Sequence, residues 1–334
     1  MKILLSTCRN PNFPTITEYA EQAIKDLGHE LEFFDDRNFL IPSRIRDRIG
    51  FLQSLDLRRL NADLVLAAQS FNPDLVLVMG GFRTLPETLT RLHRLGFRTA
   101  LWTIDPPFPP VFNETMPLYD YVFCGGTEIQ EQLAPMGIPC EWVPFGFARG
   151  RHVPPVYSPE ELRPYASDIC FVGSYYPNRA EDFEVLLGMK LRIIGPGWEK
   201  LRPDSPLCGL AVSRQLKDDE WKKYFAASKI ILCPHFQSKD CLCYQISPRV
   251  FEALATRSFL LCDAQRDVLS LFKDGEHLAI YHNPAELRAK AEYYLAHEDE
   301  RLRIAENGWR EVTAKHSYHD RIKQLISVVE RSDG

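Results

Sequence analysis

Short apolar runs recur along this chain, and nearly every one is followed by a longer segment of helical periodicity. In the first half the runs are Lys2–Ser6, Glu30–Phe34, Asp74–Met79, Arg98–Thr103, Tyr121–Cys124 and Cys140–Val143. In the second half they are Asp168–Gly173, Lys190–Ile194, Lys229–Cys233, Ser258–Cys262 and His277–Tyr281. Helical segments separate them: Ile16–Leu27 closed by Gly28, Ser43 to about Phe71, Pro86–Leu95, Glu128–Ala134, Ala180–Leu187 and Asp218–Ala227. Pro284–His297, Glu300–Lys315 and Tyr318 to about Glu330 are three further helices at the end. Continuous apolar strands joined by helical crossovers build parallel sheets that are covered on both faces. The expected fold class is therefore α/β, doubly wound.

At 334 residues the chain exceeds one ordinary core, and two domains are the default. Between Pro144 and Ala166 the alternation stops in a proline-rich stretch without sustained periodicity, PFGFARGRHVPPVYSPEELRPYA, which reads as the interdomain linker. The expected division is 1–150, 151–315 and a terminal helix over 316–334 that packs back across the domains. Ligands of open α/β sheets bind at the carboxyl ends of the strands, so two such domains facing each other would enclose a central cleft.

Forty basic against 45 acidic residues leave a net charge of -5, which gives no global field for a nucleic-acid partner. Nine cysteines in no paired spacing suit reduced thiols, and no stretch approaches the roughly 20 apolar residues of a transmembrane helix. The apolar run in MKILLSTCRN is too short for a secretory signal, so a cytoplasmic location is expected.

The densest chemistry lies in SPRVFEALATRSFLLCD, Ser247 to Asp263. Ser247 is a good N-cap and Pro248 suits the first helical position. Arg249 and Glu252 then share one helical face just before a buried strand. Two readings stand: a surface ion pair at i, i+3, or a cation for phosphate with a carboxylate for ribose hydroxyls one turn along. In DICFVGSYYPNRAEDF a strand ends at Gly173 and Ser174, with Arg179 near the next helix start. That turn either admits a diphosphate closely or is a plain strand-to-helix connection. LRIIGPGW ends a strand at Gly195 and places Trp198 to stack on a base or to anchor its own loop. CPHFQSKDCLCYQISPR leads into the Arg249 helix, where Gln245, Ile246 and Ser247 offer backbone N–H groups. His235, Cys241 and Cys243 lack the spacing of a structural zinc site, so no metal is expected. In the first half, LWTIDPPFPP ends a strand in Asp105, which either takes a proton from an acceptor hydroxyl or orders its own loop. Gly80 and Gly81 would let a ligand approach the backbone, and the Ser6–Pro14 loop has no GxGxxG pattern for a dinucleotide. His316 and His319 are expected to be structural.

SPRVFEALATRSFLLCD, LFKDGEHLAIYHNPAEL and ERLRIAENGWREVTAKHSYHDRI, with weaker matches in PDLVLVMGG and TALWTIDPP, resemble glycosyltransferases of the CgeB type. The resemblance implies a GT-B architecture of two Rossmann-like domains and a metal-independent, hexosyl-type transferase. Its donor would be a UDP-, GDP- or dTDP-linked sugar, with the acceptor unassigned and no cofactor. It also implies that the Gly173–Arg179 turn faces the donor and that Trp198 lies close to the nucleotide. His235 departs from the small polar residue such relatives carry. The same two-domain plan serves sugar-nucleotide epimerases, hydrolases and non-catalytic binding proteins, so fold alone does not decide the activity.

Overall fold

The computed structural model describes residues 1–11, 13–103, 114–237 and 242–331. The chain divides into two units, Met1–Pro144 with Arg321–Gly334, and Phe145–Asp320. In the first, β1 (Lys2–Thr7), β2 (Glu30–Asp35), β3 (Leu75–Met79), β4 (Thr99–Trp102), β5 (Tyr121–Cys124) and β6 (Glu141–Trp142) form one parallel sheet in the order β2-β1-β3-β4-β5-β6. Leu4, Leu5, Val76, Leu77, Ala100 and Leu101 alternate between its faces and are all buried, because helices cover both sides. α1 (Ile16–Asp26) starts at a capping box in which Thr15 and Glu18 satisfy each other's backbone N–H.

One predicted helix, Ser43 to Phe71, is broken in two. α2 is a single turn, Ser43–Arg46, and α3 restarts at Gly50 and runs to Phe71. Ile49 is extended (φ -126°, ψ 93°), and the following glycine is a poor helix former. The buried Asp56 carboxylate accepts from the Leu40 and Ile41 N–H groups at 3.1 and 2.8 Å, holding the preceding segment against the first turns of α3.

The second unit repeats the plan. β7 (Ser167–Val172), β8 (Leu191–Gly195), β9 (Ala211–Ser213), β10 (Ser228–Cys233), β11 (Leu260–Asp263) and β12 (Ala279–Tyr281) lie in the order β12-β11-β10-β7-β8-β9, all parallel. This is the dinucleotide-fold order, whose direction of winding reverses between β7 and β10. Its crossovers include α4 (Pro177–Glu184), α5 (Glu220–Ala226) and α6 (Pro248–Ala255). α7 (Glu298–Lys315) packs on α6 at Gly308, where a Cβ would sit 2.8 Å from Leu254 Cδ2 and 2.2 Å from the His277 carbonyl oxygen. The His316 ring lies 5.1 Å from Phe272, a packing role as expected. α8 (Tyr318–Arg331) carries the chain back to the first unit. There the Gln324 side chain donates to the Trp142 carbonyl and the Tyr121 hydroxyl to that of Val329.

Candidate functional site

The reversal of winding opens a crevice beyond the carboxyl ends of β7 and β10, where the crossovers leave on opposite faces. A cavity of about 280 Å³ occupies it, near the lower end for ligand pockets, which run from about 300 Å³. Phe171, Val172, Gly173 and Ser174 line it from β7, Cys233 and Pro234 from β10, Tyr176 and Arg179 from the α4 start, and Ser247, Pro248, Arg249 and Glu252 from α6. Six of the predicted donor residues are thus brought together: Gly173, Ser174, Arg179, Ser247, Arg249 and Glu252.

Arg179 is the most constrained. Its Nε donates to the Pro234 carbonyl at 3.0 Å and its Nη1 to the Ser174 carbonyl at 2.9 Å. The guanidinium also lies 4.7 Å from the Tyr176 ring and 5.2 Å from that of Phe171. Among the described residues no carboxylate pairs with it, and Nη2 has no partner. Burial presses its pKa downward, the mark of a cation lacking full compensation. Such a group facing a cavity is an anion site.

Arg249 and Glu252 combine both sequence readings. They form an ion pair of 2.7 Å, and that pair lines the cavity instead of standing on the surface. Arg249 also lies over the rings of Trp221 and Phe225 at 5.2 and 5.5 Å, so its charge is backed by an aromatic shelf. Behind that shelf His152 meets Trp221 edge-on, and burial lowers its pKa to about 4. Ser247 caps α6, its hydroxyl accepting from the Arg249 N–H across 3.3 Å, a long bond that an incoming phosphate oxygen can replace.

Four predicted donor contacts take other roles. Trp198 is 3% exposed, gives its Nε1–H to the Gly173 carbonyl at 3.0 Å, and stacks against Phe183 at 6.0 Å. It is a core anchor with no face for a base. Gly195 is required by packing: its φ is +157°, and a Cβ there would lie 1.9 Å from the Gly173 carbonyl oxygen. Gln245 and Ile246 are buried and do not line the cavity. The Gly173 N–H is bonded to the Ile194 carbonyl, so this glycine offers the cavity shape and not a donor. Asp105 and Cys241 lie outside the described residues. Gly80 and Gly81 both have left-handed φ (84° and 76°) at the end of β3, which only glycine adopts readily.

Sequence reasoning missed Tyr176 and Cys233 in the cavity lining and the buried network beside Cys233. His235, whose role the sequence left open, is buried and bonds Asp263 Oδ1 through Nδ1 at 2.6 Å. Burial alone would keep this imidazole neutral, but the Asp263 carboxylate outweighs it and raises the pKa. Cys233, His235 and Cys262 bring three potential ligand atoms within 4.8 Å. Nδ1 is already taken by Asp263, however, and the Cys262 thiol donates to the Cys233 carbonyl at 3.3 Å. An ion would have to displace those bonds. The signal for this network was the register of Cys233 beside Cys262 on neighbouring strands, which requires knowing the strand order.

Two Rossmann-like units, one with a cationic cavity at its switch point, define the GT-B class of fold, and residues 179–327 match the family model described as glycosyl transferase-like. Among curated proteins the chain is 22% identical to the spore protein CgeB of Bacillus subtilis (strain 168) over 287 residues, covering 80% of this chain and 86% of that protein. A sucrose-phosphate synthase from Thermosynechococcus elongatus superposes with a TM-score of 0.70 at 12% identity, covering 99% of this chain and 98% of the other. Anabaena HepE, solved with UDP and glucose, superposes with a TM-score of 0.68 at 12% identity over 99% of this chain and all of that one (100%). The resemblance to CgeB-type glycosyltransferases thus holds in sequence, and the GT-B architecture holds in three dimensions. No helix among the described residues is long and apolar enough to cross a membrane.

Proposed function

We propose that the chain transfers a hexosyl group from a nucleotide-activated sugar to an acceptor hydroxyl, with the donor diphosphate held in the cavity of the second unit. The observation that carries this reading is Arg179, a half-buried guanidinium that faces that cavity and, among the described residues, has no carboxylate partner. As the glycosidic bond to the donor breaks, negative charge grows on the departing diphosphate. Fixed positive groups there lower the barrier more than they stabilise the ground state. Arg179, Arg249 and the start of α6 supply that charge, and Glu252 accepts from the ribose hydroxyls. With two guanidinium groups in place, no divalent cation is needed to neutralise the leaving group, and transfer is expected to survive chelators. A UDP-linked sugar is the first donor to test, since HepE is a relative in fold solved with UDP. The acceptor base is assigned to Asp105, beyond β4, and the site of action to the cytoplasm.

A thermal-shift screen of UDP-, GDP-, dTDP-, ADP- and CMP-sugars tests the reading. One nucleotide class should raise the melting temperature in a concentration-dependent way, following RT ln(1 + [L]/Kd). No shift with any of them would contradict it. Release of free sugar or an epimer without any acceptor would replace transferase by hydrolase or epimerase.

A further inference from the structure

Large exposed apolar side chains gather in one stretch of the first unit. Leu40 is 68% exposed, Phe51 71% and Leu66 57%, and Ile45, Ile49 and Leu55 are exposed as well. On α3, Phe51, Leu55, Arg58, Ala62 and Leu66 recur at i, i+4, i+7, i+11 and i+15, which is a single stripe along the helix. Leu60, Leu64 and Ala68, spaced by fours on the far side, are buried in the core. The helix is therefore apolar on two sides with one side covered. The same stretch carries Arg58 within the stripe and Arg37, Arg44 and Arg48 in the segment that leads into α3, all exposed and, among the described residues, without an ion-pair partner. Of the local carboxylates, Asp47 pairs with Arg46, Asp56 and Asp63 with Arg59, and Asp36 with Arg83, while the exposed Asp35 accepts from the Arg37 backbone N–H and offsets one of the four arginines. A chain of net charge -5 thus carries a locally cationic, apolar face.

We propose that this face docks on the surface of an anionic lipid bilayer. The bilayer interface takes both halves of its chemistry, headgroup phosphates for the guanidinium groups and the acyl boundary for Phe51, Leu55 and the isoleucines. A nucleic acid would engage the arginines and leave the aliphatic side chains uncovered. A second copy related by a two-fold axis would set these arginines against the same arginines. The inference stands on the first unit alone and does not depend on the transferase reading.

Flotation of the full chain with vesicles of phosphatidylcholine, with and without phosphatidylglycerol, tests it. Binding is expected to the anionic vesicles, to weaken with added salt, and to be far weaker to neutral ones. Each arginine near an anionic surface is worth roughly fivefold in partitioning, so Arg44→Ser with Arg48→Ser should cost more than about tenfold. Phe51→Ser with Leu55→Ser should cost a similar factor, and both pairs should leave the melting temperature unchanged because all four side chains are exposed. Equal binding to neutral and anionic vesicles, no binding, or binding indifferent to both variant pairs would overturn the proposal. So would a dimer in sedimentation velocity that Phe51→Ser dissolves, or tight RNA binding abolished by the arginine pair with vesicle binding absent.

Discussion

Arg179 holds its position through two backbone carbonyls, and a positive charge fixed in that way is hard to replace. Replacing it with glutamine removes a charge-assisted contact worth about 1.5–3 kcal/mol, so nucleoside diphosphate affinity should fall between roughly tenfold and a hundredfold in calorimetry. Arg249→Ala and Glu252→Ala should each weaken the same affinity several-fold, with little change in melting temperature because both groups border the cavity. Unchanged affinity in both would dissociate α6 from the donor. His152 gives a pH signature. Its folded pKa near 4 lies below the unfolded value of about 6.5, so it contributes stability above pH 6.5 that is lost as pH falls toward 4, at most about 3 kcal/mol. His152→Asn keeps an acceptor for the Ala148 N–H and should flatten stability over that window in urea titrations. A profile parallel to wild type would remove His152 from the balance. The Arg249–Glu252 spacing was legible in the sequence because a helix fixes which residues share a face. The orientation of Trp198 was not, since a strand end constrains the backbone but leaves the ring free to turn either way.

Among the elements, β7 and β8 are held together where Gly195 meets the Gly173 carbonyl and Trp198 bonds the same oxygen. Gly195→Ala would force a Cβ into a space that does not exist, and severe destabilisation or loss of soluble protein is expected. Trp198→Phe removes one buried hydrogen bond and part of the packing, costing about 1–3 kcal/mol in chemical denaturation. Donor affinity measured below the melting temperature should stay close to wild type; a large loss would restore Trp198 to the site. The caps were readable, as with Ser247 before Pro248. The break between α2 and α3 was passed over although Gly50 marks it locally, and the hold of Asp56 on Leu40 and Ile41 is a tertiary contact that no spacing shows.

For the molecule as a whole, the α/β plan was legible because parallel strands buried on both faces leave nearly unbroken apolar runs. Strand order was not, and with it the crevice between β7 and β10, since periodicity shows that strands exist but not which ones are neighbours. From sequence a terminal helix over 316–334 is expected to pack back across the domains, and α8 joins the first unit from Arg321. It buries Ile322, Leu325, Ile326 and Val329, so a chain ending at Asp320 should lose several kcal/mol from the first unit and melt at a lower temperature in calorimetry. The central claim is that a nucleoside diphosphate binds in the cavity of the second unit through Arg179. Titration of UDP, and then GDP and dTDP, into wild type and Arg179→Gln by isothermal calorimetry tests it most directly. Saturable binding of one nucleotide to wild type, weakened at least tenfold in the variant, is the predicted result; no binding of any, or equal binding to both proteins, would contradict it.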